Sequence, residues 1–276
     1  MPGYPFLKGH GTENDFVLLP DHDGSVHGGL TDEEMAARVR ALCDRRAGIG
    51  GDGVLRVVRR GADEGVRWFM DYRNADGSVS EMCGNGIRVF AQHLFDEGLA
   101  DPREPLPVDT RDGVKTITVE ADGQLTVDMG VPQVLGETKV AVGDHAWPAQ
   151  HVDMGNPHAV AFVESLDRHG PVGPLLDEPD YDHAVYPAGV NVEFVVRRGD
   201  GHVAMRVHER GSGETRSCGT GACAVAVAAA VADGRGPGST YRVDLPGGTL
   251  TIAWTADDRI LMTGPAVVVA RGTTGL

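Results

Sequence analysis

The sequence predicts an α+β fold of two similar, pseudo-symmetric domains, each a curled, mostly antiparallel sheet wrapped around a central helix. Short segments that alternate apolar and polar residues, the pattern of strands, dominate the chain. Two apolar helical patterns follow the related sequences MCGNG (82–86) and SCGTG (217–221), whose cysteines are 135 positions apart in the numbering. An internal repeat of this kind indicates two copies of one structural unit.

The strands are predicted from period-two alternation, which places every second side chain on the same face. Val66, Trp68 and Met70 share one face in this way. The other alternating segments are residues 116–120, 125–129, 203–207 and 249–254.

Three helices are predicted. The first begins at Thr31, where Glu34 completes a capping box. The second follows Gly84 and ends by Gly98. The third follows Gly219, and its segment 222–232 is apolar all round, which indicates a helix enclosed by protein on every side.

The repeat extends upstream of the cysteines: Asn74 lies nine residues before Cys83, and Glu209 lies nine residues before Cys218. We therefore expect an N-terminal domain of residues 1–128, onto which the C-terminal strand 264–276 packs back, and a C-terminal domain of residues 129–263. Clefts between domains are common ligand sites, so the active site is expected in the cleft between the two.

Composition narrows the classes of function. The 276 residues carry a formal net charge of −15 at pH 7, which argues against nucleic acid or an anionic membrane as a partner. The N-terminus lacks the features of a signal peptide, and no apolar run reaches the roughly 20 residues that span a bilayer. We expect a cytoplasmic protein, in which the four cysteines stay reduced.

Cys83 and Cys218 each precede a Gly-x-Gly turn that opens a helix. Free backbone N–H groups and the helix dipole favour negative charge there, so each thiol is expected to be more acidic than an ordinary cysteine. The same N–H groups can bind a carboxylate. The pattern predicts a racemase in which one thiolate removes an α-proton while the other thiol protonates the opposite face.

A buried free cysteine is usually only a packing residue, and this interpretation is retained for Cys43 and Cys223. For Cys83 and Cys218 the matching positions in the repeat favour catalysis. The sequence contains no Cys-x-x-Cys pair or His cluster that would predict a metal site.

Five segments together resemble the diaminopimelate epimerase family, in the order in which that family has them. They are GHGTENDF (9–16), RNADGSVSEMCGNGIR (73–88), MGNPHAV (154–160), GVNVEF (189–194) and ERGSGETRSCGTGAC (209–223). The resemblance implies interconversion of LL- and meso-diaminopimelate, in lysine and peptidoglycan precursor synthesis, without pyridoxal phosphate or metal. A homodimer is the expectation at the level of the family.

The resemblance also implies roles for individual residues. The end of the substrate that does not react would be held by Asn74, Asn156, Asn191, Glu209 and Arg210. The reacting carboxylate would be bound by Gly84, Asn85, Gly219 and Thr220, with Asn14 nearby. His158 and Glu209 would adjust the protonation of the cysteines. Taken singly, Asn14, Asn74 and Asn156 could instead form turns. Arg210 could be a surface cation and His158 a core residue.

The chain departs from the common family pattern at three places. Gly53 stands where many relatives have a Gln that contacts substrate, Ala159 stands where Cys is frequent, and GTEND (11–15) replaces a glycine-rich version. The contact of the Gln is therefore expected to be lost or supplied by the backbone.

Three other functions fit part of the sequence pattern. Proline or hydroxyproline racemases share the CG-x-G pattern, but usually carry His where Asn85 stands. A thiol redox protein would use Cys83 and Cys218 as a reversible disulfide. A binding protein without catalysis would not explain the two thiols, because backbone N–H groups alone can bind a carboxylate.

Overall fold

The computed structural model describes residues 3–61 and 67–276, and Val66 of the predicted strand lies outside the described residues. The chain divides into two compact units, Met1–Val127 together with Pro265–Leu276, and Asp128–Gly264. We propose that the domains comprise residues 1–128 and residues 129–263.

The three helices of the described residues are α1 (Asp32–Cys43), α2 (Gly84–Asp96) and α3 (Gly219–Ala232). At the start of α1, the Thr31 side chain accepts a hydrogen bond from the Glu34 backbone N–H, and the Glu34 side chain accepts one from Thr31. The predicted capping box is therefore present.

The strands follow the alternating segments. In the first unit they are β1 (Tyr4–Gly11), β2 (Asn14–Pro20), β3 (Gly53–Arg59), β4 (Trp68–Asn74), β5 (Leu106–Thr110), β6 (Gly113–Val119) and β18 (Val267–Thr274). The chain passes into the second unit along β7 (Leu125–Gly130). The second unit contains β8 (Gln133–Val142), β9 (His145–Asp153), β10 (Pro157–Phe162), β11 (Asp180–Tyr181), β12 (Asn191–Gly199), β13 (His202–Glu209), β14 (Gly213–Thr215), β15 (Ser239–Leu245), β16 (Gly248–Trp254) and β17 (Ile260–Gly264).

The two units repeat one order of strand pairing. From β1 to β6, consecutive strands pair antiparallel, parallel, antiparallel, parallel and antiparallel. The series β9, β10, β12, β13, β15 and β16 shows the same five directions in the same order. The predicted α+β fold of two similar units, mostly antiparallel, is thus confirmed.

Each of the two repeated helices is a crossover between parallel neighbours, α2 from β4 to β5 and α3 from β13 to β15. Ten of the thirteen residues of α2 are buried, and α3 is buried at Gly219 and at every position from 221 to 230. The expectation that segment 222–232 is enclosed on all sides is confirmed for 222–230, whereas Val231 and Ala232 at the end of α3 are exposed. Within the described residues, no helix is long and apolar enough to cross a membrane.

The turn between β1 and β2 has an uncommon backbone. Gly11 pairs with Asn14, and the two residues between them, Thr12 and Glu13, have φ values of +50° and +63°. Two-residue hairpin turns with positive φ at both central positions usually contain Asn and Gly, because other side chains are strained there. This strained turn fixes where β2 begins, and therefore the position of Asn14.

We predict that Glu13→Gly stabilises the protein. Positive φ costs an L-residue about 1–2 kcal/mol, and the extra freedom of glycine in the unfolded chain takes back about 0.5–1 kcal/mol. The free energy of unfolding should rise by about 0.5 kcal/mol, seen as a higher urea midpoint. Ala37→Gly, at an exposed position inside α1, is the control and should lower stability by about 1 kcal/mol. A lower midpoint for Glu13→Gly would contradict strain in this turn.

Candidate active site

Cys83 is the N-cap residue of α2. Its backbone is extended, with φ −142°, and its sulfur accepts a hydrogen bond from the Gly86 N–H at 3.4 Å. The side chain is half-buried. The thiol therefore lies at the positive end of the helix, as the CG-x-G pattern predicted.

Asn14 and Asn85, both predicted site residues, lie beside Cys83. The Cys83 thiol points to Asn14 Oδ1 at 3.6 Å, and Asn85 Nδ2 donates to the same oxygen at 3.2 Å. The other end of the Asn14 carboxamide, Nδ2, donates to Asp52 Oδ2 at 2.8 Å. Asp52, directly before Gly53, was missed in the sequence, because a single Asp before a strand resembles any loop carboxylate.

Asn74 uses its side chain within its own loop. Tyr72 donates its hydroxyl to Asn74 Oδ1 at 2.9 Å, and Asn74 Nδ2 donates to Ser78 Oγ at 3.0 Å. The structure thus shows the turn-forming interactions that were the alternative for this residue. These two bonds use one N–H and one lone pair of the carboxamide, which has two of each.

Gly53 pairs with Asn74 across β3 and β4. A Cβ atom at position 53 would lie 2.6 Å from the Arg73 carbonyl oxygen and 2.7 Å from the Tyr72 ring. A longer side chain does not fit without movement of the backbone, so this chain has no side-chain contact equivalent to the Gln of many relatives.

Cys218 occupies the same position in the second unit. It is the N-cap of α3, with φ −123°, and its sulfur accepts from the Gly221 N–H at 3.4 Å. The Thr220 hydroxyl lies 3.6 Å from the sulfur. A Cβ atom at Gly221 would lie 2.7 Å from a carboxyl oxygen of Glu193, so only glycine lets Glu193 approach this helix end.

The expectation of a more acidic thiol is wrong for Cys218. Burial raises its pKa well above the ordinary value, and the nearby carboxyl groups of Glu209 and Glu193 raise it further. Hydrogen bonds from Thr220 and the Gly221 N–H lower the pKa, but by less. Desolvation disfavours the charged form of any group, and here it outweighs the helix end.

Glu209 lies against Cys218. Its carboxyl group accepts a hydrogen bond from the Thr215 hydroxyl, and a further one from the Cys218 thiol holds its pKa down. Burial has the larger effect and raises the pKa of Glu209. The effects of the two acids on each other differ in sign. The thiol favours the ionised carboxyl by donating to it, whereas the ionised carboxyl disfavours ionisation of the thiol.

His158 is fully buried, with Nδ1 2.6 Å from Glu193 Oε1 and Nε2 3.1 Å from Asn156 Oδ1. Asn156 Nδ2 donates in turn to the Thr220 hydroxyl at 3.4 Å. Glu193 was missed in the sequence, where a lone acid in the apolar strand NVEFVV was the available signal. Among the residues that the structure describes, its Oε2 has no hydrogen-bond partner, and burial raises its pKa.

Asn191 and Arg210 form a separate pair. Asn191 Oδ1 accepts from the Arg210 backbone N–H at 3.1 Å, and Asn191 Nδ2 donates to the Pro157 carbonyl at 3.1 Å. The Arg210 side chain is exposed and donates from Nη1 to the Ala188 carbonyl at 3.3 Å. Asn191 therefore holds the backbone of Arg210, while the guanidinium reaches outward.

The remaining cysteines are buried. Cys43 is 5% exposed and Cys223 is 0% exposed, and none of the four cysteines forms a disulfide. Burial raises the pKa of Cys43 to about 11. Within residues 3–61 and 67–276, no group of three or more His, Cys, Asp or Glu side chains is arranged to hold a metal ion.

The fold and the two cysteine-capped helices define a class of two-unit α+β proteins. A hydroxyproline epimerase from Agrobacterium vitis has this fold, with a TM-score of 0.73 over 99% of this chain and 92% of that chain, at 17% sequence identity. At that identity the likeness shows the fold alone.

The chain belongs to the diaminopimelate epimerase family. The family's model matches residues 6–135 and 150–269. A diaminopimelate epimerase from Streptomyces coelicolor is 56% identical over 97% of this chain and 94% of its own length. One from Corynebacterium glutamicum is 46% identical over 97% of both chains. The predicted family is confirmed.

The raised pKa of Cys218 predicts its reactivity. Because only the thiolate is alkylated, iodoacetamide should modify Cys218 slowly at pH 8 in the free protein. Glu209→Gln removes a neighbouring negative charge, so the pKa of Cys218 should fall and modification at pH 8 should become about tenfold faster.

The rates can be followed by mass spectrometry of the Cys218 peptide between pH 7 and 10. Glu137→Gln, on exposed β8, is the matched control and should leave the rate unchanged. A profile for Glu209→Gln that coincides with the unaltered protein would show that Glu209 does not act on this sulfur.

Proposed function

We propose that this chain interconverts LL- and meso-2,6-diaminopimelate by a two-base mechanism, in the synthesis of lysine and peptidoglycan precursors. The observation that carries the proposal is the placing of Cys83 and Cys218 as N-caps of equivalent crossover helices in a member of this family. It is an isomerase reaction in which no atom is gained or lost overall.

In the proposed step, the thiolate of one cysteine takes the α-proton and becomes a thiol. The thiol of the other gives its proton to the opposite face of the same carbon and becomes a thiolate. Backbone N–H groups of Gly84, Asn85, Gly219 and Thr220 would bind the α-carboxylate, where charge develops as the carbanion forms.

The surroundings of each sulfur support alternation between thiol and thiolate. As a thiolate, Cys83 can accept a hydrogen bond from the Gly86 N–H and Cys218 one from the Gly221 N–H. As a thiol, Cys83 can donate to Asn14 Oδ1 and Cys218 to the Glu209 carboxyl. A group that must exist in both forms during one cycle needs a partner for each form.

We propose that Arg210 binds the distal carboxylate. One of its N–H groups is used on Ala188, and the exposed planar guanidinium offers further donors to a carboxylate in two parallel hydrogen bonds. Asn191 would support Arg210, and Asn74 and Asn156 would complete the binding of the distal amino-acid group. The contact of Glu209 with Cys218 supports a role in setting thiol protonation, together with His158, and Glu209 would also help to bind the distal ammonium group.

We also propose that the protein is cytoplasmic and homodimeric, with diaminopimelate as its small-molecule partner and without nucleic-acid or membrane partners. The net charge of −15 supports the last point. The homodimer rests on the family resemblance.

The function is tested by proton NMR of LL-diaminopimelate incubated in deuterium oxide with the purified, reduced protein. We expect loss of an α-proton signal and appearance of the meso isomer, because the hydrogen that is added to the α-carbon comes from solvent as deuterium. Cys83→Ala and Cys218→Ala should each abolish epimerisation, whereas Cys223→Ala, one more alanine in α3, should retain it.

The proposal would fail if folded protein with free thiols gave no exchange. In that case trans-4-hydroxy-L-proline and proline are the substrates to try next, since a hydroxyproline epimerase shares the fold.

Arg210→Ala should raise KM for diaminopimelate about 10- to 100-fold, which corresponds to loss of a charge-assisted hydrogen-bond pair of roughly 1.5–3 kcal/mol. Initial rates of the NMR or a coupled assay give KM and kcat separately. Arg235→Ala, an exposed arginine paired with Asp200, is the control and should change neither. If Arg210→Ala behaved like Arg235→Ala, the distal carboxylate would bind elsewhere.

A further inference from the structure

The carboxamide of Asn14 lies between the Cys83 sulfur and the Asp52 carboxylate. Its Nδ2 donates to Asp52 Oδ2 at 2.8 Å, and its Oδ1 faces Cys83 Sγ at 3.6 Å. A carboxamide has donors at one end and an acceptor at the other, so the end that faces the sulfur decides which form of the thiol it supports.

Asp52 fixes the donor end of Asn14. Its Oδ1 accepts from Arg45 at 2.7 Å, and its Oδ2 also accepts from the Asp15 backbone N–H at 3.1 Å. An ionised carboxylate has only acceptors, so Asn14 must turn its NH₂ group toward Asp52. The Asp52 carboxylate is itself held in place from two sides.

Asn85 fixes the other end of the same carboxamide. Its Oδ1 accepts from the guanidinium of Arg88 at 2.9 Å, which leaves Nδ2 to donate to Asn14 Oδ1 at 3.2 Å. Asn85 is 1% exposed and Arg88 is 0% exposed, so neither side chain can reorient freely. Two carboxamides in series are thus oriented between a guanidinium and a carboxylate, and the assignment of N and O in Asn14 follows from the charges at the ends.

We propose that Asp52 is a positioning residue that holds the Asn14 carboxamide with its oxygen toward Cys83, and so supports the protonated form of Cys83 that delivers a proton to substrate. The delivery of a proton by Cys83 is part of the proposed function, and this inference rests on that function. Its structural content, the orientation of one amide beside one sulfur, does not depend on the substrate.

The physical effect has a definite sign. An amide oxygen accepts from S–H and repels S⁻, whereas an amide N–H would stabilise S⁻. If Asp52 loses its charge, Asn14 Nδ2 loses its charged acceptor, and the Asn14 oxygen is held less firmly against the sulfur. The thiolate of Cys83 should then form at lower pH.

The test measures alkylation of Cys83 by iodoacetamide from pH 6 to 10, quantified on its own peptide by mass spectrometry. In Asp52→Asn, the rate at the low end of this range should rise several-fold, because the oxygen that opposes the thiolate is held less firmly. Asn14→Ala, which removes the amide oxygen, should also raise it. The double variant should rise no further than the larger single effect, because both changes act through one amide.

A direct effect of the lost charge is separated by salt. The charged groups around the network are Lys8, Asp15, Arg45, Asp52 and Arg88, and the Asp52 side chain is 43% exposed. Coulombic effects at an exposed site are screened at 1 M salt, where the Debye length is about 3 Å, whereas the amide orientation is not. The rise should therefore persist in 1 M KCl.

Additive effects of the two substitutions, or a rise in Asp52→Asn that disappears in 1 M KCl, would overturn the proposal. Circular dichroism shows whether each variant is folded, and Asn14→Ala with Asn14→Asp provides a second pair if Asp52→Asn is not. In Asn14→Asp an ionised carboxylate faces the sulfur, and alkylation should slow. Exchange of LL-diaminopimelate by the unaltered protein is measured separately, so failure of the proposed function and failure of this inference give different results.

Discussion

The hydrogen bond from a backbone N–H to the sulfur of an N-cap cysteine is the interaction on which the site depends. It occurs twice, from Gly86 to Cys83 and from Gly221 to Cys218, each at 3.4 Å. Each requires a helix that begins directly after the cysteine, and each such helix is a crossover between parallel strands. The pairing order of the sheets, repeated in both units, therefore serves to place two equivalent helix ends. The glycines at 86 and 221 keep those ends open to close neighbours, as the approach of Glu193 to Gly221 illustrates.

Several features of the fold and of the candidate site could be predicted from the sequence. The two cysteines, the capping box at Thr31 and the enclosure of α3 follow from local patterns, because caps and helix burial are decided by residues close in the chain. Asp52 and Glu193 were missed because their partners, Asn14 and His158, are far away in sequence and become neighbours only through the pairing of β2 with β3 and of β10 with β12.

The pKa of Cys218 also depends on residues that are distant in the sequence. The helix end is visible in the sequence and lowers a thiol pKa, but the depth of burial and the approach of two carboxyl groups are tertiary properties. Their combined effect has the opposite sign and is larger. A local pattern can thus identify a candidate catalytic position without giving its protonation state.

The two sulfurs differ in the oxygen that faces them. Cys83 meets a neutral carboxamide, whose effect is set by orientation and does not change with pH. Cys218 meets a carboxyl group, which is itself a buried acid that can carry a proton or a charge. Ionisation at Cys218 is therefore coupled to that of Glu209, and a proton arriving at one changes the other. The duplicated fold supplies two equivalent helix ends, and the different side chains around them make the two thiols chemically distinct. In the proposed two-base mechanism, this difference decides which of the two sulfurs holds a proton in the free protein.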